Sequence, residues 1–366
     1  MGGFGRRNPL RAGARIRHVG WAGVLLLSLS AALLGDRPTT PPTRPEPQPR
    51  DTPPPARAEV EVTDSASHVD LTRLASSMNL ERSWDRDNGH MILADPGSRL
   101  RLQFNSNSRS FRLNGMRIFL GEPVQEGRNT LYVSQVDYLS IVRPLLSPRA
   151  VPPPGGPLRT IVLDPGHGGR DPGTRNPDLG LTEKEMTLDV AFRLRDILEA
   201  EGYRVVLTRE DDTYVTLEQR ATIANRIEAD LFISIHFNAV DDPSVSGTET
   251  FILTPRYHRS TGQNTRRSWD REEHSGNRFD HWNAVFGYYV QRQLLHDLRT
   301  FDRGIKRARF SVLREVSCPA VLVEAGYLSH PREARRIGSS EYRDLLARSL
   351  AAAVDHYGST LRRVGE

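Results

Sequence analysis

Between Leu158 and Tyr357, short apolar runs rich in β-branched residues alternate with longer stretches of helical spacing. That alternation restricts the region to a layered α/β architecture. The strand candidates are Arg159–Asp164, Tyr203–Thr208, Asp230–His236, Thr248–Leu253 and Ala320–Glu324. Several are continuously apolar, as strands covered on both faces require. The helix candidates are Glu183–Glu201, Leu217–Ala229, Trp282–Thr300 and Glu341–Tyr357. Thr182 with Glu185, and Thr216 with Gln219, have the spacing of capping boxes. The expected fold is a mixed, mostly parallel sheet with helices on both faces, in a region long enough for a full core.

Upstream the pattern changes three times. Arg6, Arg7, Arg11, Arg15 and Arg17 precede an apolar run from Val19 to Leu34 that ends among small residues. Residues 1–35 therefore read as a signal peptide or a membrane anchor, with Arg6-Arg7 as a possible twin-arginine pair. Either form exports the rest of the chain, to the periplasm or the cell envelope. Residues 36–57 are proline-rich and predict an extended spacer. A second cluster, 151–157, marks another boundary. Residues 58–150 between them predict a small β-rich α+β module, with helical spacing over Val69–Leu80 and a hairpin turning at Asn114-Gly115. Residues 158–360 form the expected catalytic domain.

Net charge is +5, carried almost wholly by arginine; the only lysines are Lys184 and Lys306. A sequence pI of about 9.5 suits an anionic partner. Much of the excess charge lies in the first 18 residues, so it does not argue for nucleic acid, and none is expected as a partner. The single cysteine, Cys318, excludes an intrachain disulfide and reads as a buried structural thiol.

Chemistry concentrates where apolar runs give way to polar turns. His167 follows the first run inside a glycine-rich turn, His236 ends the third run, and Glu324 ends the last. Glu183 opens a helix, with Glu185 expected to serve the cap. Taken singly, Glu183 reads as readily as a partner of the helix dipole, and His236 as a hydrogen-bonded core residue. Glu324 is harder to explain structurally, because a carboxylate ending a buried strand is costly unless paired. Together, two His and a carboxylate make a zinc ligand set with an open fourth position, and a second carboxylate can act as general base. The glycine spacing around His167 fits neither a phosphate loop nor a dinucleotide fingerprint.

Six blocks carry a closer resemblance: IVLDPGHGGRDPGT, GLTEKEMTLDVAFRL, YRVVLTRE, LFISIHFNA, DRGIKRARFSVLRE and CPAVLVEAGYLSHPREAR. In this order they resemble the zinc-dependent N-acetylmuramoyl-L-alanine amidases of the AmiC-like type. The resemblance implies a phosphorylase/hydrolase-like fold and one catalytic Zn2+ held by His167, Glu183 and His236. It makes Glu324 the catalytic carboxylate and peptidoglycan the partner, cut between N-acetylmuramic acid and L-alanine. Asp164 and Asn238 are candidates to support the ligands. The upstream blocks VDLTRLASSMNLERSWDRDNGHMIL, RLNGMRIFLGEPV and LYVSQVDYLSIV resemble the copper amine oxidase N-terminal-like module. His68 and His90 there are isolated and give no copper set, so a binding or spacer role is expected.

The polar stretch from Pro255 to Trp282 departs from the simple family pattern. Two roles are open to it: a plug over the zinc, released by a protein activator, or a solvated loop. Glu272, Glu273, His258, His274 and His281 are the residues that would reach the metal under the first. A monomer is expected. The rival functions are a zinc carboxypeptidase acting on wall peptides and a non-catalytic peptidoglycan-binding protein.

Overall fold

The computed structural model describes residues 68–366. Residues 1–35, expected to be a signal peptide or membrane anchor, the proline-rich residues 36–57 and the first ten residues of the small module lie outside the described residues. Among the described residues, no helix is long and apolar enough to cross a membrane.

Eleven strands form one sheet. In chain order they are β1 (Glu81–Asp85), β2 (His90–Ala94), β3 (Arg101–Asn105), β4 (Ser110–Leu113), β5 (Met116–Phe119), β6 (Thr160–Pro165), β7 (Arg204–Leu207), β8 (Leu231–Asn238), β9 (Thr248–Leu253), β10 (Asp302–Ala308) and β11 (Ala320–Tyr327). Their spatial order is β7-β6-β8-β11-β9-β10-β5-β4-β3-β2-β1. The strands β7, β6, β8 and β11 run parallel, and β9 is antiparallel to β11. The helices that matter here are α1 (Leu71–Ser77), α2 (Glu183–Ala200), α3 (Leu217–Arg226), α4 (Asp280–Leu298), α5 (Ser311–Glu315), α6 (Pro331–Gly338) and α7 (Ser340–Gly365).

The continuously apolar strands have period-two alternation between two cores. Ile161, Leu163, Ile233, Val321 and Val323 pack in a cluster that contains Val190 and Leu194 of α2, Val290 of α4 and Leu350 of α7. Val162, Phe232 and Leu322 turn the other way, toward Ala221 and Ala224 of α3 and Val312 of α5. Each such side chain contributes about 1.5–3 kcal/mol on burial, which fixes the register of the sheet and with it the strand ends. Thr216 caps α3 with the full box expected of it. Thr182 does not cap α2: its side chain makes no cap bond, and its buried hydroxyl oxygen has no hydrogen-bond partner.

Among the sheet strands after the proline boundary, the one with no counterpart in the sequence reading is β10, whose residues DRGIKRA are too charged to look like a sheet interior. It joins the two halves of the molecule, pairing with β9 on one side and with β5 of the small module on the other. The sheet therefore crosses the proline boundary at 151–157. The expected hairpin is present, with Asn114 at φ 52° and Gly115 at φ 88° between β4 and β5. The segment Val69–Leu80 is helical only over α1, because His68–Asp70 pairs as a strand with Leu131–Ser134.

The antiparallel setting of β9 decides where the polar stretch after it goes. It leaves the sheet at the edge opposite the ends of β6, β8 and β11. His258 is buried there against Ser134 (3.1 Å) and Asp137 (3.6 Å), while Arg259 and Arg266 reach Glu122 at 3.1 and 3.0 Å. Arg307 Nη1 pairs with Asp137 at 2.6 Å in the same junction. The stretch docks on the small module, so the plug over the metal is not the arrangement in this structure.

Candidate metal centre and active site

The first candidate ligand sits in a strained turn. His167 has φ 64°, a conformation uncommon for a side-chain-bearing residue. Two buried arginines hold this turn by its carbonyls. Arg220 donates to Pro165 O (2.8 Å) and His167 O (2.7 Å), and Arg209 to Pro165 O (3.0 Å) and Gly166 O (2.9 Å). Arg220 is itself fixed by Asp164 at 2.7 Å, and Thr208 and Ser234 donate to the same carboxylate. Burial works against the Asp164 charge, but Arg220 and these hydroxyls outweigh it and hold its pKa below the ordinary value. Asp164 thus supports His167 through Arg220 and the main chain.

Glu183 starts α2 and is almost wholly buried. Its Oε2 accepts from Thr174 N at 2.8 Å, and its Oε1 accepts from Phe237 N at 3.1 Å. These bonds from β8 and from the 166–182 turn aim the carboxylate at both histidines. His167 Nε2 lies 3.1 Å from Glu183 Oε1 and His236 Nδ1 lies 2.9 Å from it. The rings of His167 and His236 stand edge to face, 4.9 Å apart at 82°. One ligand atom from each of the three residues lies within 4.8 Å of the others, a group that could hold a metal ion.

Glycine is required at two places around this group. A Cβ on Gly166 would lie 2.2 Å from His236 Cε1, and one on Gly173 would lie 2.6 Å from both Glu183 Oε2 and His167 Cδ2.

The donors fit a cation on two counts. His167 Nε2 is buried and, despite its closeness to Glu183, makes no hydrogen bond of acceptable geometry. Its other nitrogen is held by Asp171 Oδ2 at 2.8 Å, the outer contact that orients metal-binding histidines. Burial opposes a charge on His167, yet Glu183 and Asp171 overcome it and raise its pKa to about 10. Burial likewise opposes ionisation of Glu183, and His167 and His236 reverse that, so its pKa is lowered. The pocket therefore carries a field that favours positive charge between these side chains.

Glu324 stands in register with His236 on the neighbouring strand, 1% exposed, and its Oε2 has no hydrogen-bond partner. Burial raises its pKa well above the ordinary value, and the charges of Glu183 and Glu249 push the same way. His167 and Lys306 oppose them. Asn238 Nδ2 donates to Glu249 Oε1 at 2.8 Å and to the Tyr327 hydroxyl at 3.3 Å, not to either histidine. None of Glu272, Glu273, His258, His274 and His281 belongs to the ligand group.

The structure thus brings together His167 in the turn after β6, Glu183 at the start of α2, and His236 and Glu324 in the C-terminal halves of β8 and β11. The sequence reading missed Asp171, Arg209, Arg220, Glu249 and Lys306. Only two of these carried a signal: Asp171, four residues beyond His167 in the same turn, and Lys306, one of two lysines in an arginine-rich chain.

Residues 161–356 match the family described as N-acetylmuramoyl-L-alanine amidase. Over 241 residues the chain is 33% identical to N-acetylmuramoyl-L-alanine amidase AmiC of Neisseria meningitidis, covering 59% of this chain and 57% of that protein. It is 33% identical over 214 residues to the germination-specific N-acetylmuramoyl-L-alanine amidase of Bacillus subtilis, covering 54% of this chain and 79% of that protein. Among solved structures it is similar to N-acetylmuramoyl-L-alanine amidase AmiC2 of Nostoc punctiforme, at 33% identity and a TM-score of 0.45, over 56% of this chain and 98% of that one. The chain spans little more than half the length of the meningococcal relative.

Proposed function

The chain belongs to the N-acetylmuramoyl-L-alanine amidase family, and from that premise we propose that it hydrolyses the amide between N-acetylmuramic acid and the L-alanine of the peptidoglycan stem. His167, Glu183 and His236 would hold a single Zn2+ in this reading. The observation that carries it is the pairing of that three-ligand group with a buried carboxylate, Glu324, whose Oε2 is unpartnered.

When bound, zinc supplies a water of near-neutral pKa and a Lewis acid for the scissile carbonyl. The protein's own residues do the rest. With a cation at His167, Glu183 and His236 countering the burial and the carboxylate charges that raise its pKa, Glu324 would be ionised, accept the proton of the attacking water on its unpartnered oxygen and deliver it to the alanine nitrogen as the carbon–nitrogen bond breaks. The products are a lactyl carboxylate and a stem peptide with a free amine. Asp171 keeps His167 in one orientation, and Arg220 and Arg209 hold the turn that carries it. Burial around Glu324 excludes competing water, so the carboxylate is kept for this transfer.

The basic-then-apolar N-terminus supports action outside the cytoplasmic membrane, where the wall polymer lies. Residues 36–57 would act as the spacer, residues 58–150 as the accessory module and residues 158–360 as the catalytic domain. Chelation followed by readdition tests the metal assignment. Activity on peptidoglycan should disappear on dialysis against a chelator and return with one equivalent of Zn2+. Full activity in metal-free protein would overturn it.

A further inference from the structure

Glu324 stands on the middle strand of three, in the order β8-β11-β9. Its ladder partners are His236 on β8 and Glu249 on β9. The next pair between β8 and β11 is Asn238 with Tyr327. From one pair to the other β11 advances one residue more than β8, a bulge directly after Glu324, with Gly326 at φ 129°. A bulge interrupts the ladder and loosens its control over the side chain beside it. The main chain alone therefore does not fix the stance of the Glu324 carboxylate.

A side-chain bond crosses β11 at this point. Side chains alternate along β8, so Asn238 lies on the same face as His236. Asn238 Nδ2 donates to Glu249 Oε1 at 2.8 Å, joining β8 to β9 over the end of β11. Asn238 Oδ1 accepts from Ala239 N at 2.8 Å, which sets the amide in that orientation. The other Glu249 oxygen is held from β10 by Lys306, and by Arg303 Nε at 3.4 Å. The strand β10 is itself tied to the small module: Ile305 pairs with Ile118, and Arg117 N donates to Asp302 Oδ2 at 2.7 Å. A buried ionic cluster is weak evidence for stability, because apolar side chains of similar volume often serve as well. This one adjoins a carboxylate whose Oε2 has no partner.

We propose that the Asn238–Glu249 bond is a strap that positions Glu324, with Asn238 and Lys306 as the positioning residues at its two ends. The inference rests on the reading of Glu324 as the proton carrier in amide hydrolysis. The strap closes the space beyond Glu324 and keeps its carboxylate beside His236. A misplacement of about 1 Å at a reacting group can cost about 10²-fold in rate.

The test uses the full chain loaded with zinc, comparing the parent with Asn238→Ala, Lys306→Met and the double variant. In each single variant kcat per zinc-loaded molecule should fall about 10–100-fold, with KM and zinc affinity unchanged. Asn238→Ser, which can still accept from Ala239 N, guards against a loop defect and should show the same loss. Both ends act through Glu249, so the double variant should lose no more than the worse single variant. A lowered melting temperature with the parent's kcat would mark a structural role only and overturn the proposal. Losses that multiply would overturn it too, and so would weakened zinc binding in Asn238→Ala, which would assign Asn238 to His236. Crystal structures of the zinc-loaded parent and of Asn238→Ala give a reading independent of turnover. The Glu324 carboxylate should shift by about 1 Å or split over two positions, and an unmoved carboxylate would overturn the strap whatever the chain cleaves. A parent that cleaves no amide would sink the amidase reading and leave those structures to decide the strap.

Discussion

Glu249 and Glu324 face one another across β9 and β11, both almost wholly buried, and they differ in what neutralises them. Glu249 has Lys306, Arg303 and the amide of Asn238. Glu324 has an oxygen with no partner. Two buried carboxylates side by side are tolerated because one is satisfied structurally, and the other is left for chemistry.

Removing the satisfied member should therefore be a folding defect. Glu249→Ala leaves Lys306 and Arg303 without their carboxylate in a largely buried setting, and is expected to cost about 3–5 kcal/mol. Denaturant titration checks this; a loss under 1 kcal/mol would mean the cations find water or another partner.

Removing the unpartnered member should be a chemical defect. Glu324→Gln preserves shape and removes proton transfer, so turnover should fall by about 10²–10⁴-fold while zinc content stays at one per chain. Metal analysis and turnover on the same preparation decide it. Loss of metal in this variant would make Glu324 a ligand.

Asp171 offers an independent test of the metal group. Its bond to His167 Nδ1 fixes which ring nitrogen faces Glu183. Asp171→Asn should weaken zinc affinity by about 10–100-fold, measured by competition with a chromophoric chelator. Unchanged affinity would show that the turn alone orients the ring.

Much of this site was legible in the chain because its residues end continuous apolar runs, and such runs can only be covered strands. His236 and Glu324 follow from that rule, and His167 from the glycines that its close packing against His236 and Glu183 requires. What escaped was set by tertiary pairing. The strand β10 is charged because its outer face meets solvent and Glu249, so it lacks the apolar signature. Arg220 sits in a helix whose spacing gives no hint that it holds the His167 carbonyl. The polar stretch after β9 was ambiguous because its destination depends on the direction of one strand, which composition does not encode. Thr182 is instead paired with Arg175 in a short ladder, and the first two amides of α2, Glu183 N and Lys184 N, bond to Thr174 O at 2.8 Å and Pro172 O at 3.2 Å, tying the helix start to the site.

The junction between that stretch and the small module should respond to acid. Burial lowers the pKa of His258 to about 4, with Arg307 and Arg266 acting the same way and Asp137 and Glu122 opposing. The unfolded residue titrates near 6.5. Between those values the unfolded chain binds a proton that the folded chain refuses, so stability falls as pH drops through the window, by about 3 kcal/mol in all. In His258→Gln that part of the slope should vanish. Urea titrations at pH 7 and pH 4.5 measure it, and an equal slope in both proteins would contradict the assignment.

The central claim is tested most directly by product identity. The full chain, loaded with zinc, is incubated with intact peptidoglycan beside its Glu324→Gln variant, and the soluble products are identified by mass spectrometry. The account predicts stem peptides carrying a free L-alanine amine, from the wild-type chain alone. Release of single C-terminal amino acids, or equal product from the variant, would contradict it.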